Sequence, residues 1–282
     1  LFNYGGSTTW VHIRREVDPI LQAANPGFKL RYTEAAHATP GSGTGIRMLL
    51  DGQLAFAQSS RPVEDEEHEQ ANLRGFSLKQ IPVALDAIVF VVHPKLSVSG
   101  LSLNQIRDIY MGKITNWRQV GGPDLAITPY SRRPADGGTP EYFVHEILDG
   151  GTLGGNVKYV YSTTDAVRKV DKDPGGIYYA SAVEVVPQCK VKPLSVNHLH
   201  LPHKFVAPYK EPLVPADECP DQTNQLNTEA FRTGDYPFTR QLFVIVKQDG
   251  QLDQQAGEAY AQLLLTNEGQ ELITKAGFVR IH

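Results

Sequence analysis

The run Gly41-Ser42-Gly43-Thr44-Gly45 is followed by Ile46, Leu49 and Leu50, apolar residues at helical spacing. The spacing predicts a glycine-rich loop at a helix N-terminus. Backbone N–H groups there lack intrahelical partners, and the helix dipole favours an anion. Glycines let the backbone approach closely, and Ser42 and Thr44 add hydroxyl donors. A second loop, Gly5-Gly6-Ser7-Thr8-Thr9, precedes an amphipathic stretch carrying Trp10, Ile13, Val17, Ile20 and Leu21. A third, Gly137-Gly138-Thr139, precedes Tyr142, Phe143, Ile147 and Leu148. Taken singly, each loop is also an ordinary N-cap and turn. Together they point to one small oxyanion held by three helix ends.

Other chemistries fit less well. No lysine follows Gly45 until Lys79, so the first loop lacks the lysine of a nucleotide phosphate loop, and no dinucleotide fingerprint is present. Ser42 is second in its glycine run rather than central, so the nucleophile elbow of a hydrolase is absent, and no histidine sits in a motif that would pair with a serine. His198, His200 and His203 cluster in a proline-rich stretch without an acidic or cysteine partner at ligand spacing, which reads as surface histidines rather than a metal site. No cofactor is implied.

Composition narrows the class. The chain has 282 residues, enough for two lobes or one large domain, and a net charge of −4. That charge argues against a nucleic-acid partner, because phosphate backbones demand a basic surface. An anion must be held by local donors and dipoles. No apolar run reaches transmembrane length. The chain begins at Leu1 with no signal peptide visible, which fits a mature form and leaves the compartment to be inferred otherwise. The cysteines are Cys189 and Cys219. Two buried thiols are the plain reading. Both lie among many prolines, in a region that gains most from a cross-link, so a disulfide is expected. In the loop-entropy model it contributes roughly 3–4 kcal/mol, and it places the protein outside the reducing cytosol.

The elements that must position the loops are legible from periodicity. Residues 10–24 read as a helix, Phe28 to Tyr32 as a strand, and the helix after Gly45 ends near Gly52. Leu54 to Ala57 is a short buried strand closed by Gln58-Ser59-Ser60-Arg61-Pro62. Glu64 to Arg74 is a solvated helix. Ile81 to Val92 is a long apolar run interrupted by Asp86, suited to a strand that crosses between lobes. Ser102 and Gln105 form a capping box ahead of Ile106, Ile109 and Tyr110. Thr163 to Val170 is a helix, Ile177 to Ala180 a strand, and 187–238 a long connection short of periodicity. Leu242 to Val246 is a buried strand, and two helices follow, Ala256 to Leu265 and Gly269 to Ala276. Thr266 or Asn267 caps the second and Gly277 ends it. Strands alternating with helices predict an α/β architecture.

Several segments, in order, resemble the phosphate-binding proteins of bacterial phosphate ABC transporters, including cyanobacterial members. They are Gly6 to Thr9, Gly41 to Ile46, Ser59-Ser60-Arg61, Ile81 to Asp86, Gln105 to Trp117, Arg133 to Thr139, Tyr236 to Arg240, and Glu268 through Phe278. The segment Gly112-Lys113-Ile114-Thr115-Asn116-Trp117 is the most specific, and the likeness spans nearly the whole chain. It implies a type II periplasmic-binding-protein fold, two α/β lobes joined by two crossing strands, with ligand in the cleft between them. Lobe one would be 1–87 plus 247–282 and lobe two 88–246.

The resemblance carries phosphate contact to Ser7, Thr8 and Thr9, to Ser42, Gly43 and Thr44, and to Ser59 and Ser60. The bland alternatives are helix capping for the first two sets and a local turn before Pro62 for the third. Arg133 matches the family's arginine four residues before its Ser-Gly-Thr motif, and Arg132 is the alternative. A guanidinium can pair bidentately with two anion oxygens. Gly137, Gly138 and Thr139 stand where that motif falls, so Gly137 replaces a serine hydroxyl. Some family members also place a carboxylate at the ligand to accept the proton of hydrogen phosphate and repel sulfate. Ser60 stands at that place here, with Asp136 as another candidate acceptor. Arg61 is expected to support the serine pair or close a salt bridge.

The expected protein is therefore a receptor, not an enzyme, binding inorganic phosphate as a monomer. It would work in the periplasm or outside the cell, with membrane anchoring through a removed N-terminal segment as one option, and dock on a membrane-embedded ABC permease. The alternatives are an oxyanion-sensing domain of a signalling protein, a receptor for another tetrahedral oxyanion, and, less favoured, a phosphate-ester hydrolase.

Overall fold

The structure, a computed structural model, describes residues 1–38, 40–134, 138–198 and 201–281. The chain divides into two compact units, the first formed by Leu1–Asp86 with Arg240–His282 and the second by Ala87–Thr239.

In the first unit, strand β1 (Phe2–Gly6) runs through a 3-10 turn, Thr8–Trp10, into helices α1 (Val11–Glu16) and α2 (Asp18–Ala24). The single helix expected over 10–24 is split at Val17. Pro19 sits in the first turn of α2, where its missing N–H costs nothing but cannot extend the helix before it. Trp10, Ile13, Val17 and Leu21 are buried, whereas Ile20 of the expected stripe is exposed. Next come β2 (Leu30–Tyr32), α3 (Ser42–Leu50), β3 (Phe56–Ser59), α4 (Asp65–Leu73) and β4 (Ser77–Val92). Helix α3 starts one turn earlier than expected, so Ser42, Gly43, Thr44 and Gly45 form its first turn rather than a loop ahead of it. Helix α4 is the solvated helix its charges predict, with Ala71 as its buried contact.

Strand β4 carries the chain into the second unit. There follow β5 (Gly100–Leu101), α5 (Leu103–Tyr110), β6 (Thr128–Ser131), α6 (Gly138–Tyr142), β7 (Lys158–Tyr159), α7 (Thr163–Val170), β8 (Gly176–Ser181) and α8 (Ala182–Val185). Ser102 and Gln105 form the expected capping box of α5. The C-terminal half of β4 pairs antiparallel with β8, β8 parallel with β6, and β6 parallel with β7. Phe143 and Tyr179 stack at 3.9 Å between ring centroids, with Tyr110 edge-on to both, and this aromatic group is fully buried. Trp117, from the most specific segment of the sequence, is also fully buried and donates from Nε1 to the Gly175 carbonyl. That segment is a structural plug: Asn116 caps the short turn Trp117–Val120, and Gly112 takes a left-handed φ of 78°.

The stretch 187–238 is more ordered than its composition predicts. It holds β9 (Lys192–Pro193), β10 (Ser195–His198), β11 (Leu201–Val206) and α9 (Thr228–Thr233). Strand β10 pairs with both β11 and β5 in a small sheet. A disulfide joins Cys189 to Cys219.

The chain returns to the first unit through β12 (Thr239–Gln248), then α10 (Leu252–Leu265) and α11 (Asn267–Lys275). Thr266 caps α11 through its hydroxyl, and Gly277 follows at φ 95°. In this unit β1 lies between β2 and β3, parallel to both, β12 is antiparallel to β3, and β4 lies beside β12. Aromatic residues Trp10, Phe56 and Tyr260 anchor one core layer, and Ile46, Leu49 and Ile245 another.

Candidate functional site

Parallel strands β1 and β3 end beside each other, and α3 connects their neighbourhood. Crevices at the carboxyl ends of parallel strands are where α/β sheets bind ligands. Ser7 follows β1, Ser60 follows β3, and Ser42 opens α3. The structure brings these three hydroxyls together. Ser7 Oγ donates to Ser60 Oγ at 3.0 Å, Ser42 Oγ lies 3.2 Å from Ser60 Oγ, and the Ser60 N–H donates to Ser42 Oγ at 3.0 Å. All three residues are buried. Hydroxyls both donate and accept, so the cluster can present protons to an oxyanion or accept one from it.

Glycines make this convergence possible. A Cβ on Gly45 would lie 2.5 Å from Gly6 Cα, and one on Gly6, at φ 126°, would lie 2.3 Å from the Gln58 carbonyl oxygen. The first turn of α3 therefore rests directly on the backbone of the β1 loop. The glycines of the two loops serve each other.

The remaining first-unit candidates divide. Thr9 donates its N–H to Ser7 Oγ, and its own buried Oγ1 has no hydrogen-bond partner among the described residues. A buried hydroxyl without a partner is unusual, and a ligand oxygen would satisfy it. Thr8, Gly43 and Thr44 are partly exposed in the same two turns. Ser59 is adjacent in sequence but not in the hydroxyl cluster: its Oγ donates to the Arg61 carbonyl at 2.6 Å and accepts from the Arg61 N–H, the local turn before Pro62. Arg61 forms a two-point salt bridge with Glu67 and a third contact with Glu64.

In the second unit, Thr139 lies in the first turn of α6, which begins at Gly138. Arg132, Thr139, Thr163, Tyr178 and Glu184 line one narrow crevice. Arg133 is exposed, with its guanidinium carbon 5.9 Å from the Tyr159 ring centroid. Burial pushes the Tyr178 phenol up to about 12, so it stays neutral at ordinary pH. Gly137 and Asp136 lie outside the described residues, as does His200. Among the described residues no group of three His, Cys, Asp or Glu side chains is arranged to hold a metal ion, and no helix is long and apolar enough to cross a membrane.

Two further residues support the cluster without belonging to any motif. Gln58, fully buried in β3, accepts at Oε1 from Arg14 Nη1 at 2.8 Å and donates from Nε2 to the Tyr260 hydroxyl. Arg14 also donates to the Ser7 carbonyl oxygen at 3.1 Å. The available signals were faint: a glutamine continuing a buried strand, and an arginine flanking the Trp10–Ile13–Val17 stripe.

The chain belongs to the PBP superfamily domain family, whose match spans residues 3–268. It is similar to the phosphate-binding protein PstS of Staphylococcus saprophyticus, 23% identical over 272 residues that cover 94% of this chain and 77% of that protein. Protein SphX of Synechococcus elongatus is 30% identical over 169 residues, 57% of this chain and 50% of the relative. Among solved structures, an ABC-type phosphate transport receptor from Vibrio cholerae superposes with a TM-score of 0.77 at 20% identity, covering 99% of each chain. The fold class is the expected two-lobed α/β periplasmic-binding-protein fold.

Proposed function

We propose that the protein is an extracytoplasmic receptor that captures inorganic phosphate without chemical turnover and delivers it to a membrane-embedded ABC permease. The observation that carries this reading is the Ser7–Ser42–Ser60 hydroxyl cluster at the ends of β1 and β3. It occurs in a chain whose relatives are named phosphate-binding proteins and phosphate transport receptors. Ser7, Thr8, Thr9, Ser42, Gly43, Thr44 and Ser60 are proposed as ligand donors, replacing the anion's hydration shell. Ser59 is proposed only through its backbone neighbourhood, since its hydroxyl is engaged locally. Arg133, Gly137, Gly138 and Thr139 are proposed as further phosphate ligands. The protein is proposed to be a monomer, and its placement in the periplasm or outside the cell is supported by the disulfide.

A second reading has its own support. Ser60 places a hydroxyl, not a charge, at the centre of the cluster, and a hydroxyl can turn its proton towards a fully ionised oxyanion. A receptor for sulfate or arsenate is therefore the alternative to weigh.

The test is isothermal titration with phosphate, sulfate and arsenate, after unfolding and dialysis to remove carried ligand. Tight one-to-one phosphate binding with sulfate silent supports the phosphate receptor. Tight sulfate binding moves the reading to the alternative, and no binding of any of the three overturns both. Folded Arg133→Ala is expected to bind phosphate more weakly by at least about 10-fold, the loss of a charged hydrogen bond. Unchanged affinity would transfer the role to Arg132.

A further inference from the structure

Arg14 is a half-buried cation whose direct hydrogen-bond and ring partners are neutral among the described residues. Its Nη1 donates to the Ser7 carbonyl oxygen at 3.1 Å and to Gln58 Oε1 at 2.8 Å, and its guanidinium carbon lies 4.2 Å from the Tyr32 ring centroid. The carboxylate along this network, Asp18, is reached only through two neutral links. Gln58 Nε2 donates to the Tyr260 hydroxyl, which donates to Asp18 Oδ1 at 2.7 Å. Asp18 Oδ2 takes the Tyr4 hydroxyl at 2.6 Å. Asp18 is thus hydrogen-bonded by two phenols and feels Arg14 only through space, whereas Arg14 bonds directly to the backbone of the loop that carries Ser7, Thr8 and Thr9.

The Ser7 carbonyl shares its peptide group with the Thr8 N–H. A cation bonded to the oxygen polarises that peptide and strengthens the N–H as a donor, because hydrogen bonds in series reinforce one another in a low-dielectric setting. The charge itself also acts on any anion at the loop, with little screening in a partly buried position.

We propose that Arg14 is a positioning residue of the oxyanion site, acting through the Ser7–Thr8 peptide and through its own positive charge, and that it selects the more highly charged form of a tetrahedral oxyanion. This rests on the anion-receptor reading above. A group touching the ligand would be read by lost contact. Arg14 acts at one remove, so its mark is the charge preference of binding.

The groups facing Arg14 allow that preference to be read. From β1, β2 and α10 these are the phenols Tyr4, Tyr32 and Tyr260, all pushed up by burial and therefore neutral through the useful range. From α2 the group is Asp18, and Glu34 lies against Tyr32. On α1 itself, His12 is held below its usual value by burial, and exposed Arg15 pairs with Glu16. Comparing Arg14→Gln with wild type at each pH cancels the groups common to both.

The experiment titrates phosphate into wild type, Arg14→Gln and Arg14→Lys across the range in which phosphate loses its second proton. It also reads the Thr8 amide proton by NMR in the ligand-free proteins. Arg14→Gln is expected to weaken binding several-fold, short of the ~10-fold or more that losing a direct charged hydrogen bond to the ligand costs. The loss should be concentrated in the doubly charged form, so that affinity rises less steeply with pH. Arg14→Lys should recover most of that slope, and the Thr8 amide should move upfield in the glutamine variant only. Equal losses for both variants with an unchanged pH slope, or an unmoved Thr8 amide, would overturn the proposal. If wild type ignores phosphate while the Thr8 amide still responds, the phosphate reading fails and the coupling of Arg14 to the loop stands.

Discussion

Gly45 and Gly6 meet backbone to backbone: a Cβ on the first would stand 2.5 Å from the Cα of the second, and 3.2 Å from Gly6 N and Gly5 O. No flexible side chain is there to yield. Gly45→Ala must therefore push the first turn of α3 away from the β1 loop, separating Ser42 from Ser7 and Ser60. Overpacking of this kind typically costs about 1–3 kcal/mol. We expect Gly45→Ala to lower the melting temperature and to weaken oxyanion binding beyond what the stability loss explains. Calorimetric melting and titration on the same preparation check this, and full affinity in the variant would mean the loops are not coupled.

Ser60 is the hub of the hydroxyl cluster, bonded to Ser7 through its Oγ and to Ser42 through both its Oγ and its N–H. Ser60→Ala removes one hydrogen-bonding group and leaves the Ser7 hydroxyl without its acceptor, a cost of about 1–3 kcal/mol. Phosphate affinity should fall by up to that amount, roughly 5- to 150-fold. Ser60→Asp is the more informative change. A carboxylate can accept the proton of hydrogen phosphate but can only repel sulfate. Its phosphate-to-sulfate affinity ratio should exceed that of wild type, and competition titration reads it. An unchanged ratio would show that position 60 does not face the anion.

Much of this arrangement was legible in the sequence, and the parts that were not share a physical reason. The serines and glycines of the first two loops stood out because close backbone approach and hydroxyl donors require those residue types locally. Helix α5 was legible through Ser102 and Gln105, and α11 through Thr266 and Gly277, because caps are short-range chemistry. Strand β10 was not, since one of its partners, β5, is only two residues long and distant in the chain. Ser59 and Ser60 look alike as a pair, yet successive residues of a strand end face opposite ways, so one joins the cluster and the other closes a local turn. Arg14 and Gln58 belong to no motif. Their role depends on β1, β3 and α10 meeting in space, which spacing along the chain does not encode.

Asp86 and Arg240 form a buried ion pair at the two points where the chain leaves and re-enters the first unit. Arg240 Nη2 and Nε lie 2.9 and 3.1 Å from Asp86 Oδ2, and the side chains are 2% and 1% exposed. Removing one member of a buried ion pair typically costs about 3–5 kcal/mol, whereas replacing both by apolar residues can be nearly neutral. Arg240→Met alone should be strongly destabilised in denaturant unfolding, and the double variant Asp86→Leu with Arg240→Met should recover most of the loss. A double variant as unstable as the single would mean the pair is held by more than its own charges.

Asp18 offers a pH signature of its own. Burial raises its pKa above the usual carboxylate value, against the pull of the Tyr4 and Tyr260 hydroxyls and of Arg14. Between the ordinary carboxylate pKa and the raised folded value, the native protein holds a proton that the unfolded chain has released. Stability from this group therefore falls as pH rises through that window and is level above it. Asp18→Asn abolishes the titration while keeping the size of the side chain. The stability of wild type relative to Asp18→Asn should then increase as the pH is lowered from neutral into the window, with other carboxylates cancelling in the difference. Urea unfolding of both proteins at a series of pH values measures it. A relative stability that shrinks towards acid would mean that the two phenols and Arg14 outweigh burial and hold Asp18 below its ordinary pKa.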